Sequence, residues 1–195
     1  MKKILIFILL GIIPLGIFSQ DLRDNLHIKT EIFEVIYSEV LQQPKWVTYT
    51  VQCPNGKAPR TGMDFYTNDS IKTSDNADYV DNVYDKGHCA PAADFNCTKE
   101  MLYKTFSYVN CVLQNQYLNR GVWRLLEAYE RDLAATTGVT VKIKMVYSNS
   151  SIKLPTGATV PDGFYKIITY NNRVEKYYFP NTKPTSSDFK QYLIK

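Results

Sequence analysis

The clearest periodicity in the chain runs from Leu118 to Thr136. Leu118, Val122, Leu125, Leu126, Tyr129 and Leu133 recur at three- and four-residue spacings, which predicts a helix with one apolar face stopped at Gly138. Val139, Val141, Ile143, Met145 and Tyr147 then alternate with Thr140, Lys142 and Lys144, the period of a half-buried strand. Phe164 to Tyr170 and Arg173 to Phe179 flank Asn171-Asn172, a two-residue turn suited to positive φ, and read as a hairpin. Upstream, Gln42-Gln43-Pro44 breaks the chain before a strand at Trp46 to Cys53 that is rich in aromatic and β-branched residues. A short strand at Val83 to His88 ends before Pro91, and Thr105 to Val109 reads as a strand delivering Asn110. Asn96 or Thr98 caps a short helix over Lys99 to Lys104, and the tail from Ser187 to Leu193 suits another.

Three stretches are less regular. Asp21 to Leu41 mixes apolar and charged positions with no single period, Lys57 to Val83 is a long irregular connection, and Gln114-Asn115-Gln116 is a polar loop. With no internal repeat and no low-complexity linker, the pattern predicts one α+β domain.

The N-terminus alters the boundaries. Met1-Lys2-Lys3, an apolar run from Ile4 to Phe18 and then Ser19-Gln20 read as a secretory signal peptide of residues 1–19, cut near Ser19. The run is shorter than the roughly 20 apolar residues a spanning helix needs, and Gly11, Pro14 and Gly16 interrupt it. Residues 20–195 are then a single domain without a membrane partner, destined for secretion or a periplasm. Such a compartment is oxidising, so Cys53, Cys89, Cys97 and Cys111 are expected to form disulfides, with three complete pairings open. A zinc site is the rival use of these cysteines, but the chain has no C-x-x-C pair.

Without Lys2 and Lys3 the balance is close to neutral, and its distribution is uneven. Gln20 to Val141 carries 12 Lys/Arg against 16 Asp/Glu, while Lys142 to Lys195 carries 9 against 3. A solvated face and a phosphate-tracking face explain that basic third equally well.

The chemistry concentrates in two short stretches, Tyr84-Asp85-Lys86-Gly87-His88 and Leu118 to Glu127. Phosphodiester hydrolysis needs an activated water, stabilisation of charge on the phosphorus oxygens and help for the departing alkoxide. A neutral imidazole at His88 is a competent general base. Asn119 offers a hard oxygen, and magnesium keeps several waters, so one amide oxygen with Glu127 acting through water is sufficient. At about 100° per residue Asn119, Glu127 and Arg131 share one side of a straight helix, although its rise of roughly 12 Å between Asn119 and Glu127 separates them. Taken singly, each residue has a plainer role: Asn119 as a helix N-cap, Glu127 with Arg131 as a surface ion pair, His27 as an isolated surface residue.

The two stretches in this order resemble the DNA/RNA non-specific endonucleases of the ββα-metal fold. The resemblance is carried by Asp85-Lys86-Gly87-His88, the following Cys89 to Phe95 with Pro91, then Asn110, then Leu118 to Glu127 with Asn119-Arg120-Gly121-Val122-Trp123. It implies a mostly antiparallel sheet with the Asn119–Glu127 helix packed on it. It also implies a Mg²⁺-dependent nuclease, with Mn²⁺ as a substitute metal, acting on the backbones of DNA and RNA.

Residue by residue, the resemblance makes His88 the general base and Asn119 the direct metal ligand, with Glu127 holding metal-bound water. Asn110 supports the catalytic group by hydrogen bonding, and Lys86, Arg131 and, by looser spacing, Arg60 contact phosphate. Asp85 and Gly87 give structural support to the loop that presents His88. Lys86 stands where Arg is usual, exchanging a planar fork for a point charge. Cys89 and Cys111 directly follow two site residues, which suggests a disulfide stiffening the site. The competing function is a non-enzymatic secreted nucleic-acid-binding protein with a decayed nuclease site. Nothing in the sequence sets the oligomeric state or a preference between DNA and RNA.

Overall fold

The computed structural model describes residues 22–68 and 70–194, so the signal peptide expected at residues 1–19 lies outside the described residues. Its main sheet has six antiparallel strands in the order β1-β2-β3-β6-β7-β8. These are β1 (Leu26–Lys29), β2 (Phe33–Ser38), β3 (Gln43–Thr50), β6 (Thr140–Val146), β7 (Gly163–Tyr170) and β8 (Arg173–Pro180). A separate two-stranded ribbon pairs β4 (Tyr84–His88) with β5 (Cys111–Asn115). The fold is therefore α+β with a mostly antiparallel sheet.

The two periodic segments behave as their patterns require. Val141, Ile143 and Met145 of β6 are buried while Lys142 and Lys144 stay exposed. Asn171 and Asn172 both take positive φ, 43° and 60°, and close the β7–β8 hairpin. Thr98 caps α1 (Lys99–Lys104) through the Met101 amide, and the tail forms one 3₁₀ turn, Phe189–Tyr192, capped by Asp188.

Other segments differ from the sequence reading. The mixed stretch before Leu41 forms the β1–β2 hairpin. His27 pairs with Glu34 across that hairpin, which gives it a surface role. β3 begins at Gln43, and Pro44 lies inside it, where the register shift between Ile36 and Tyr37 accommodates a residue without an N–H. Thr105 to Val109 is not a strand. Asn110 binds the Thr105 carbonyl through Nδ2 at 2.9 Å and folds the segment back on itself, and Tyr108–Asn110 becomes a 3₁₀ turn. Gln114 and Asn115 belong to β5, and the Asn115 side chain caps the next turn, α2 (Gln116–Leu118), through the Tyr117 amide.

The expected single helix is interrupted. α2 runs into a π-helical turn, Asn119–Trp123, in which Gly121 leaves helical geometry at φ −99° and ψ −117°, and then into α3 (Arg124–Ala134). Leu118, Val122 and Leu126 are buried as predicted, but Leu125 is 38% exposed, because the face turns at the break. Trp123 anchors the turn to the sheet, its ring 5.4 Å from Phe164 and 5.5 Å from Phe179. No helix among the described residues is long and apolar enough to cross a membrane.

Of the three pairings open in sequence, the structure forms the Cys53–Cys97 bond and leaves Cys89 and Cys111 as buried thiols. No disulfide stiffens the His88 site directly. The bond instead ties the end of β3 to the turn before α1 across a 44-residue separation. Constraint of a loop of that length is worth about 4 kcal/mol by chain entropy. A Cys53→Ser/Cys97→Ser protein is expected to lose about 2–4 kcal/mol of unfolding free energy in urea titration, and reductant should produce the same loss in the parent but none in the variant.

Candidate active site

One cleft of about 550 Å³ gathers predicted site residues from four parts of the chain. Arg60 comes from the long connection, Lys86 and His88 from β4, Asn119 from the π turn, and Glu127 and Arg131 from α3. Arg120 and Arg124 line it as well, so five cations and one histidine face a single lining carboxylate. Asp85, Gly87 and Asn110 stand behind this wall. The straight-helix placement of Asn119, Glu127 and Arg131 fails at Gly121, yet all three reach the same cleft.

His88 sits at the end of β4 because Gly87 lets β5 come close. A Cβ on Gly87 would lie 2.6 Å from Gln114 Oε1 and 2.7 Å from Gln114 Cβ, so any side chain there would push the ribbon apart. The imidazole packs against Phe65 at 4.5 Å and, edge-on, against Phe106 at 4.8 Å between ring centroids. Its Nε2 is buried without a hydrogen-bond partner, leaving the Nδ1 edge for the cleft. Burial, with the Arg60 charge adding to it, lowers its pKa to about 3, so the ring is neutral at neutral pH.

Asn110 is fully buried and does not line the cleft. Its Oδ1 accepts from the Ala90 amide at 2.8 Å, while Nδ2 donates to the carbonyls of Ala90 and Thr105, both at 2.9 Å. All of that bonding goes to backbone. Asn110 thus fixes the chain just past His88 through backbone contacts to Ala90 and Thr105.

Asp85 joins the two motifs. Its Oδ2 accepts from Asn119 Nδ2 at 2.9 Å and from Arg120 Nε at 2.8 Å, and its Oδ1 accepts from Arg120 Nη2 at 2.6 Å. With Nδ2 committed to Asp85, the amide oxygen of Asn119 is the end left for a ligand. Asp85 therefore supports Asn119 more directly than it supports His88. Lys86 lines the cleft, but its ammonium donates to Asp64 at 2.9 Å and to Asn76, above the rings of Phe65 and Tyr108. It ties the long connection to β4. Arg60 stacks its guanidinium 4.9 Å from the Phe106 centroid, which brings it beside His88.

Below the cleft lies a charge network that the sequence reading missed. Arg131 does not pair with Glu127. Its Nη1 donates to the fully buried Asp94 at 2.9 Å, leaving the rest of the guanidinium for the cleft. Glu130 and Lys166 form an ion pair at 2.7 Å with both side chains fully buried, and Tyr49 donates to Glu130 Oε2 at 2.8 Å. Lys166 Nζ also lies 4.3 Å from the Trp123 ring centroid. Burial and the nearby Glu130 raise the Glu127 carboxyl to about 7, against the pull of Lys166 and Arg131. Burial, then Glu130 and Glu127, raise Asp94 to about 8.

A signal for this network was present. Phe164, Lys166, Ile168 and Tyr170 share one strand face, and Glu130 falls one turn after Leu126 on the apolar helix face. Each is a charge in an apolar register, which is the pattern of a buried pair. Removing one member leaves an isolated buried charge, so Lys166→Met is expected to cost about 3–5 kcal/mol. The double variant Lys166→Met/Glu130→Leu removes both charges and should recover most of that loss in urea titration.

The donor set suits a hard divalent ion. Among the described residues no three His, Cys, Asp or Glu side chains converge into a metal cage, and the available atoms are one amide oxygen and one carboxylate. An ion that keeps most of its waters fits such a sparse set.

Comparison with known proteins agrees with this geometry. A family profile described as DNA/RNA non-specific endonuclease matches residues 17–195. Mitochondrial nuclease EXOG of Danio rerio is 32% identical over 102 residues, covering 50% of this chain and 30% of that protein. A nuclease of Nostoc sp. is 30% identical over 129 residues, covering 60% of this chain and 47% of that protein. This chain thus spans less than half the length of either relative. The fold of the EndoG/EndoGI complex matches with a TM-score of 0.77 and 24% identity, over 87% of this chain and 80% of that one. With a family match across nearly its whole length, the chain belongs to the DNA/RNA non-specific endonuclease family.

Proposed function

We propose that this protein is a Mg²⁺-dependent, sugar-non-specific endonuclease that hydrolyses phosphodiester bonds in DNA and RNA. The observation that carries the reading is the joining of His88 and Asn119 at one basic cleft, with Asp85 orienting the amide. A neutral His88 takes a proton from the attacking water at Nδ1, the edge open to the cleft; this assigns the Nε2–H tautomer. Asn119 Oδ1 would hold the ion directly and Glu127 through water. Mg²⁺, or Mn²⁺ in its place, supplies Lewis-acid stabilisation of the phosphorus oxygens and the departing oxygen. Arg131 and Arg60 hold the non-bridging oxygens, and Arg131 is itself oriented by Asp94. Lys86 adds positive potential while it fixes Asp64 and Asn76. Contacts confined to phosphate and sugar carry no base information, which suits low specificity.

The Met1 to Ser19 segment supports secretion or a periplasmic location, and the Cys53–Cys97 bond fits an oxidising compartment. Amino-terminal sequencing of the exported protein should begin at Gln20; a start at Met1 would remove the signal-peptide reading.

The purified protein should degrade plasmid and RNA with Mg²⁺ and stop on addition of EDTA. His88→Ala is expected to lose about 10²–10⁴ in kcat, and full retention of activity would refute the assigned base. Asp85→Asn should weaken Mn²⁺ binding, read by titration calorimetry, by about 10–100-fold. Binding of nucleic acid without EDTA-sensitive cleavage would favour the non-catalytic reading instead.

A further inference from the structure

Beside the catalytic cleft lies a second depression of about 330 Å³, formed where β5 passes into α2. Tyr117, Val122, Arg124, Leu125, Lys183 and Pro184 line it. Two of these are large apolar or aromatic side chains left open to solvent, Tyr117 at 53% and Leu125 at 38% exposure. Lys183 Nζ lies 5.2 Å from the Tyr117 ring centroid, and Arg124 borders the opening. Among the described residues no acidic side chain lines the groove. Arg124 also lines the catalytic cleft, so one arginine borders both depressions.

The groove is built on fixed elements. Tyr117 is held at its backbone by the Asn115 cap at 3.0 Å, and the Asn115 amide is held in turn by Asn181 Oδ1 at 2.8 Å. On the far wall the Tyr192 hydroxyl accepts from the amides of Thr185 and Ser186, both at 3.1 Å, and the Tyr192 ring stacks on Phe179 at 4.6 Å. The backbone of both walls is therefore held, and Lys183 Nζ lies over the Tyr117 ring, so a base that stacks on this ring displaces the ammonium toward its own phosphate.

We propose that this groove is a second nucleotide subsite, taking an unpaired base of the same strand whose phosphodiester occupies the catalytic cleft. An aromatic face beside an aliphatic floor suits a base, and two flanking cations suit its phosphates; that combination is the chemistry of single-strand binding. The arginine shared with the cleft and the lack of acidic lining among the described residues favour nucleic acid over a peptide or a lipid. A base within a duplex is already stacked on both faces, so the subsite acts on single strands. The inference rests on the nuclease reading of the cleft.

The test compares the full-length wild-type protein with Tyr117→Ala, Tyr117→Trp and Lys183→Ala. One substrate is a labelled single-stranded 12-mer; the other is a bis(p-nitrophenyl) phosphodiester, small enough to occupy the catalytic cleft alone. Tyr117→Ala should raise KM for the 12-mer about tenfold, leave its kcat unchanged and leave the small diester unaffected in both parameters. Tyr117→Trp should restore the 12-mer KM, and Lys183→Ala should shallow the salt dependence of that KM by about one phosphate contact. An unchanged 12-mer KM in Tyr117→Ala, or equal losses on both substrates, would overturn the subsite. If the wild type cleaves neither substrate with Mg²⁺, the nuclease reading fails. Fluorescence anisotropy of the 12-mer in EDTA then decides the subsite: about tenfold weaker binding by Tyr117→Ala supports it, and equal binding refutes it.

Discussion

Asp85 accepts three hydrogen bonds from two consecutive residues that lie 34 and 35 positions further along the chain, and these contacts join the His88 strand to the Asn119 turn. An amide side chain is symmetric in shape but not in chemistry: one end donates and the other accepts. By accepting from Nδ2, a single carboxylate leaves the oxygen end of Asn119 free of that contact. The bidentate contact to Arg120 then fixes the backbone at the point where the π turn begins. Without this link the β4–β5 ribbon and the helix would share a core but not a register at the cleft.

The buried charges beneath the cleft add a second constraint. Asp94, Glu127 and Glu130 carry up to three negative charges close to Arg131 and Lys166, and withdrawing them from water costs several kcal/mol per ion before any pairing is counted. An apolar layer of the same volume would be at least as stable. The network's distinct contribution is direction: Asp94 aims Arg131, and Lys166 lies between the Trp123 ring and Glu130 while lowering the proton affinity of Glu127. Because Trp123 packs on Phe164 and Phe179, the helix that carries Glu127 is anchored to the same strands that supply the counter-charge.

How much of this could be read from the chain depended on how local the cause was. β6 and the β7–β8 hairpin follow from alternation and from two asparagines that accept positive φ, so sequence and structure agree there. The β1–β2 hairpin was not legible, because β1 is only four residues long and Ile36 places an apolar side chain on the face that carries His27, Lys29 and Glu34, which blurs the period. Thr105 to Val109 has strand composition and is overridden by the buried Asn110 amide, which bonds to Thr105 within the segment and to Ala90 twenty residues away. The cleft residues themselves were legible as motifs, whereas Glu130 and Lys166 showed only as charges in an apolar register, with no indication of which groups they would meet. Asp94, Glu130 and Lys166 come from three separate elements and meet only through packing. The cysteines show the same limit: the sequence left three pairings open, and the structure joins Cys53 to Cys97, whose Cα atoms lie 5.4 Å apart.

Lys86 gains a different meaning from this arrangement. As a phosphate contact it would be a weaker version of an arginine, since a point charge cannot grip two oxygens at once. In the structure its ammonium lies over the rings of Phe65 and Tyr108 and donates to Asp64 and Asn76, two residues of the long connection. Phe65 also packs on His88. A flexible four-carbon stem ending in a compact donor can satisfy those two separated oxygens from above the rings, whereas a planar fork favours one carboxylate or one phosphate. The lysine thus fastens the connection that forms one wall around the imidazole, and in the proposed mechanism Arg60 and Arg131 take the hold on phosphate. The departure at position 86 shifts the work among the cations of the cleft and leaves its net charge unchanged.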